Sequence, residues 1–185
     1  MSKPRRLPGD PTPDRAVERA LRVDHAGEYG AVRIYAGQLA VLGQRPGSTN
    51  AAAKVRTMAE QEHKHLAAFD ALLNERHVRP TVLAPVWHVA GFALGAATAL
   101  LGDKAAMACT EAVEEVIDDH YRDQAERLRE TEPELSATLD AFRAEEVEHL
   151  DIARAAGAKE APAYPALSGA VRSATRLAIW LSTRI

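Results

Sequence analysis

The chain has a single cysteine, Cys109, in 185 residues, which excludes a disulfide frame and any cysteine-held zinc or iron–sulfur site. That lone thiol is expected to be an inert buried group on a helix. Aromatic residues make up only 5%, and alternating apolar strands are hard to find, so little speaks for a sheet. Neither charge sign is in excess. Twenty-three Lys and Arg stand against 26 Asp and Glu, a net charge of −3, which gives no reason to expect nucleic acid as a partner. The leading MSKPRRLPGDPTP has no apolar run and too many prolines for an amphipathic transit helix. Residues 1–13 are therefore expected to be a flexible leader, and residues 14–185 a single domain, long enough to bury a core.

What the sequence does have is helix. Long stripes of period 3.6 run over about residues 14–42, 50–76, 103–130 and 131–156. Gly43 stops the first, and Thr131 with Glu134 has the spacing of a capping box at the start of the fourth. An apolar stretch, residues 80–101, separates the two pairs, and an amphipathic segment follows Pro165. The expected class is all-α.

Each of the four stripes carries a defect. The first reads Val17, Leu21, Asp24, Glu28, Val32, Tyr35, Leu39, Leu42, and the second Ala51, Val55, Met58, Glu62, His65, Phe69, Leu72. The third reads Met107, Thr110, Glu114, Ile117, Tyr121, Leu128, and the fourth Leu135, Leu139, Phe142, Glu146, His149, Ala153. A carboxylate thus faces inward in the middle of every helix. Burying one ionised carboxylate costs several kcal/mol, four together repel, and no Lys or Arg lies on these stripes. Two divalent cations balance four carboxylates, with the histidines as neutral ligands. One Glu from each of two helices and Glu-x-x-His from each of the other two is the ligand set of ferritin-like dimetal bundles. Oxygen-rich sites with a minority of imidazole suit iron or manganese, and oxygen activation favours iron.

Glu-x-x-His alone is a weak signal. A third copy, Glu60 to His63, falls on the outer face of the second helix beside Arg56 and is assigned to solvent. The specific signal is duplication: Glu28 to Glu114 spans 86 residues, and Glu62 to Glu146 and His65 to His149 span 84 each. Two similar hairpins are expected to face each other about a pseudo-twofold axis. Glu115 and Glu145 lie off the stripes on polar faces and are expected to be dispensable. Asp24, one turn before Glu28, fits either a role in orienting a ligand or a surface salt bridge. Tyr121 and His120 fit either substrate steering and proton or electron relay, or ordinary core packing.

These residues resemble a known family, the demethoxyubiquinone hydroxylases of ubiquinone biosynthesis. The matching stretches are RVDHAGEYGAVRIYAGQ from Arg22, EQEHKHL from Glu60, RPTVLAPVWHVAGFALGAATALLG from Arg79, AMACTEAVEEVIDDHY from Ala106, EEVEHLDIA from Glu145 and APAYPAL from Ala161. The resemblance implies that Glu28, Glu62, His65, Glu114, Glu146 and His149 bind two iron ions. Glu62 and Glu146 would bridge, Glu28 and His65 hold one ion, and Glu114 and His149 the other. It also implies the reaction, in which a diferrous centre and O2 hydroxylate the ring of a demethoxyubiquinol with an external reductant, NADH being one candidate. Mitochondrial members carry a targeting peptide, and its absence here points to a bacterial member. The alternatives on the same bundle are a ferroxidase or a peroxide-reducing protein.

Residues 82–101 are nearly uncharged, but a single membrane span there would put the two hairpins on opposite sides of a bilayer and separate the six ligands. Seventeen residues of helix cover about 25 Å, the length of the crossover such a bundle needs. After Glu160 the tail has no acid and sets Arg172, Arg176 and Arg184 against Val171, Leu177, Leu181 and Ile185, the pattern of a helix lying in a membrane surface. The overall expectation is a ferritin-like four-helix bundle with an apolar crossover helix and a C-terminal amphipathic helix. It would act on a polyprenyl quinol as a peripheral, monotopic protein on the cytoplasmic side of the bacterial cell membrane. The same apolar surfaces also suit a homo-oligomer or another protein of ubiquinone biosynthesis.

Overall fold

The computed structural model describes residues 13–185, so the expected leader, residues 1–12 of it at least, lies outside the described residues. Six α-helices follow in order: α1 (Pro13–Leu42), α2 (Thr49–Glu75), α3 (Ala84–Leu100), α4 (Asp103–Leu128), α5 (Pro133–Ala155) and α6 (Tyr164–Ser182), with a 3-10 turn at Ala158–Glu160. No strand occurs among the described residues, and the architecture is an all-α, ferritin-like bundle. α1 and α2 form one hairpin, α4 and α5 the other; α3 crosses back along α1, and α6 lies against α4 and α1.

The helices begin and end for local reasons. α1 closes one residue before Gly43. Gly102 adopts φ 124° between α3 and α4, a conformation that costs any residue with a Cβ. The expected capping box does not form. α5 starts at Pro133, which suits the first helical turn because its missing N–H would be unpaired there. Its N-cap is Glu132, whose carboxylate reaches away to Arg76 at 2.9 Å.

The crossover sits tight on α1 because glycines let the backbones meet. A Cβ on Gly95 would fall on the carbonyl of Ile34, and one on Gly37 on the carbonyl of Phe92. Two apolar clusters then fill the bundle. One holds Leu21, Phe69, Ile117, Leu135 and Leu139. The other holds Leu42, Val55, Met58, Met107 and Ala153. The inward-facing glutamates lie in sequence between them, so a polar layer is sealed at both ends by apolar side chains.

No helix among the described residues is long and apolar enough to cross a membrane. Yet α3 and its flanks expose Val82, Val86, Val89, Phe92, Leu100 and Leu101, and the C-terminal segment exposes Leu177, Trp180 and Ile185. The tail is only partly as expected. Val171 is buried and Arg172 turns inward to Glu115 at 2.6 Å, which leaves Arg176 and Arg184 as the outward cations. Trp87 donates its indole N–H to Ser182 at 3.0 Å and so ties α3 to α6.

Gly95→Val is expected to lower stability by about 1–3 kcal/mol, the usual cost of overpacking a tight contact. Gly169→Ala on α6, where an added Cβ meets nothing within 4 Å, is expected to hold or raise the melting temperature. Thermal melts of the two variants side by side check both.

Candidate metal centre

All six stripe residues converge. Glu28 comes from α1, Glu62 and His65 from α2, Glu114 from α4, and Glu146 and His149 from α5; each is at most 2% exposed. They form two overlapping groups, Glu28–Glu62–His65–Glu146 and Glu62–Glu114–Glu146–His149, whose ligand atoms lie within 4.8 Å of one another. Glu62 and Glu146 belong to both groups. His65 Nδ1 is 3.1 Å from Glu146 and 3.5 Å from Glu28, while His149 Nδ1 is 3.1 Å from Glu62 and from Glu146. Both rings thus aim Nδ1 into the cluster. Glu60 and His63 are exposed, as expected of the third Glu-x-x-His.

The donor set fits a divalent metal on its own evidence. Glu28 Oε2, Glu62 Oε1, Glu146 Oε2, His65 Nδ1 and His149 Nδ1 are all buried without a hydrogen-bond partner. Buried polar atoms are almost always satisfied, and five orphans in one cluster are what cation ligands look like. The protein's own charges leave the cluster unevenly protonated. Burial first, and then the charge of Glu146, push the carboxyls of Glu62 and Glu114 well above the usual range. Burial likewise raises Glu28, opposed by His65. Burial works against charge on His65, but the carboxylates of Glu146 and Glu28 beside its Nδ1 raise it to about 10. Burial also opposes the charge on Glu146, yet His149 and His65 pull it down to about 2.

Around this cluster the two halves repeat more of themselves than the six residues alone. Tyr121 donates its hydroxyl to Glu28, and Tyr35 donates to Glu114 at 2.7 Å. Each tyrosine stands seven residues after the glutamate of its own helix and serves the glutamate of the other. Gln38 donates to Thr110 and to the carbonyl of Ala106, and its counterpart Gln124 donates to Asp24. Tyr121 is therefore a glutamate-holding residue, not merely core. Tyr35 plays the same part and was legible from the 86-residue offset, as was the Gln38 and Gln124 pair.

Other expectations need correction. Asp24 makes no surface salt bridge: it is 1% exposed and accepts from Gln124 and from His120 at 3.1 Å, and its burial raises the carboxyl. Glu115 is not on a free polar face, because α5 and α6 lie over it and supply Arg154 at 2.8 Å and Arg172 at 2.6 Å. Glu111 is fully buried beneath Arg154 and the hydroxyl of Tyr164, both at 2.8 Å. Glu145 is partly exposed, yet it is not free surface, since it lies 3.2 Å from His65 Nε2. The helical wheel placed Glu145 correctly off the stripe, but an imidazole reaches past the stripe edge. Cys109 is buried as expected, which pushes its thiol up to about 12.

Beside the cluster lies an apolar cavity bounded by α1, α3, α4 and α6. Ala26, Gly27, Ile34, Leu94, Val113 and Ile117 are among its walls. Gly27 and Val113 immediately precede Glu28 and Glu114, so the cavity runs along the neighbouring face of the same two helices.

The sequence matches the family described as ubiquinone biosynthesis protein COQ7 over residues 15–182. It is 60% identical over 180 residues to a 3-demethoxyubiquinol 3-hydroxylase of Rhodospirillum rubrum, covering 97% of this chain and 84% of that protein. It is 51% identical over 174 residues to the human NADPH-dependent 3-demethoxyubiquinone 3-hydroxylase, mitochondrial, covering 92% of this chain and 78% of the other. The Saccharomyces cerevisiae 5-demethoxyubiquinone hydroxylase, mitochondrial, is 39% identical over 184 residues, covering 91% and 78%.

A cation entering the cluster must displace the protons that burial holds on Glu62 and Glu114. Affinity for Mn2+ is therefore expected to go on rising with pH above the usual carboxylate range, with protons released on binding. Calorimetric titration in two buffers of different ionisation enthalpy measures both. Binding that is independent of pH and of buffer would contradict it.

Proposed function

This chain belongs to the ubiquinone biosynthesis protein COQ7 family, and from that premise we propose that it hydroxylates the ring of a demethoxyubiquinol with O2 at a di-iron centre. The observation that carries the reading is the pair of Glu/His groups sharing Glu62 and Glu146. Oxygen-rich donors with one imidazole per position suit iron. Glu28 and His65 would hold one ion, Glu114 and His149 the other, with Glu62 and Glu146 between them. Bound there, the two irons would supply the activation of O2. One oxygen atom enters the ring and the other leaves as water, with two electrons from a reduced nicotinamide nucleotide. Several relatives carry NADPH dependence in their names, which adds NADPH to NADH as the candidate donor.

The protein's own residues do the rest. Tyr121 and Tyr35 fix the carboxylate planes of Glu28 and Glu114, so the ligands are held before any cation arrives. The apolar cavity beside Gly27 and Val113 suits the ring of an uncharged quinol and excludes water from the face nearest the cluster. The polyprenyl tail would leave along the exposed apolar residues of α3 and α6, a surface that would suit a peripheral, monotopic protein on the cytoplasmic side of a bacterial cell membrane. A ferroxidase or peroxide-reducing protein on this bundle would have no use for that cavity or that face.

Purified protein loaded anaerobically with ferrous iron is expected to hold about two irons per chain. Given a demethoxyubiquinol, O2 and NADH or NADPH, it should form the ring-hydroxylated product. Glu114→Ala and Glu146→Ala should each lose iron and product together. Full iron with no hydroxylated product would leave the ferroxidase reading standing and overturn this one.

Vesicles of anionic lipid should sediment the protein, and Val89→Glu with Trp180→Glu should abolish that without lowering iron content. Equal sedimentation of wild type and double variant would contradict the membrane assignment. A dimer that dissociates in the double variant would assign the face to a second copy.

A further inference from the structure

We propose that Glu145 makes the two metal positions unequal, so that the position formed by Glu28 and His65 fills before the one formed by Glu114 and His149. The inference rests on the metal reading above and deepens it.

The two halves match closely around the cluster. Tyr35 answers Tyr121, Gln38 answers Gln124, and each histidine aims Nδ1 inward. The match breaks behind the histidines. His149 Nε2 faces Gln61 Oε1 at 2.9 Å, whereas His65 Nε2 faces Glu145 Oε2 at 3.2 Å. Gln61 and Glu145 occupy equivalent places, each immediately before a shared glutamate and 84 residues apart. One imidazole is therefore backed by a neutral amide and the other by a carboxylate.

With Nδ1 committed to a cation, Nε2 carries the ring proton and donates it outward. A carboxylate acceptor draws that proton more strongly than an amide oxygen and leaves more electron density on Nδ1. It also adds a negative charge to one position and not the other. Gln61 closes the arrangement: its oxygen accepts from His149 while its nitrogen points at Glu145, a long contact of 3.4 Å. The two rings are thus joined, His65 to Glu145 to Gln61 to His149, outside the ligand layer. A second break in the symmetry, Asp24 opposite Thr110, lies in the same half, but the hydrogen bonds of Asp24 go to His120 and Gln124 rather than to a ligand. The difference between the positions therefore falls on Glu145, a positioning residue that acts through His65.

The test is anaerobic titration of the full-length, metal-stripped protein with Co2+, followed by absorption and calorimetry. Wild type is expected to take two ions in two resolved steps. Glu145→Gln should weaken the first step by about 10-fold or more and leave the second in place, drawing the two together. Gln61→Ala should weaken the second step and spare the first. Both side chains sit at the cluster's rim, and melts of the metal-free variants report whether either substitution has merely damaged the fold. General structural damage would weaken both steps at once. The proposal is overturned if wild type binds its two ions in indistinguishable steps, or if Glu145→Gln shifts both steps equally or neither. If wild type takes up no Co2+, the metal reading falls and this inference with it.

Discussion

Four carboxylates meeting inside an apolar bundle is the constraint from which the rest follows. Glu28, Glu62, Glu114 and Glu146 come from four helices, none is more than 2% exposed, and the basic groups within 3.5 Å of their carboxylates are the imidazoles of His65 and His149. Burial and mutual repulsion push Glu62 and Glu114 far toward the protonated form. The two histidines relieve part of this, and two tyrosine hydroxyls relieve another part. Relief is incomplete, because five ligand atoms keep no hydrogen-bond partner. On the proposed reading, cations of total charge +4 would replace those protons and neutralise the layer. The apolar clusters on either side keep water from doing the same work.

Much of this was legible in the sequence because an inward stripe of period 3.6 cannot hide a glutamate. Glu28, Glu62, Glu114 and Glu146 interrupt otherwise apolar runs, and the 86- and 84-residue offsets separate the converging Glu-x-x-His pairs from Glu60 and His63. What stayed hidden depends on reach rather than on register. Glu145 lies beside the stripe but touches His65, because the imidazole extends across the seam between α2 and α5. Glu115 reads as a free polar position until α6 brings Arg172 over it, and Tyr164 of the same helix closes over Glu111. The start of α5 was misread because Pro133 sets it, and no capping side chain was needed.

The crossover and the tail serve the same centre from outside. Gly37, Gly91 and Gly95 let α3 close onto α1, where bulkier residues would hold it off. That contact walls one side of the apolar cavity and leaves Val86, Val89 and Phe92 exposed, as Leu177 and Trp180 are on α6. Arg154 and Arg172 clamp α5 and α6 to Glu115, so the helix with the exposed apolar face is joined by ion pairs to the helix that carries Glu146 and His149. On the proposed reading, access for an apolar substrate and rigidity of the Glu/His cluster would thus come from one set of contacts.

The central claim is that this cluster is one centre for two ions sharing Glu62 and Glu146. Anomalous diffraction at the iron edge, from crystals grown anaerobically with ferrous iron, tests it most directly. The account predicts two peaks within the cluster, one against Glu28 and His65 and the other against Glu114 and His149, both within reach of Glu62 and Glu146. A single peak, or iron bound only outside the cluster, would contradict it.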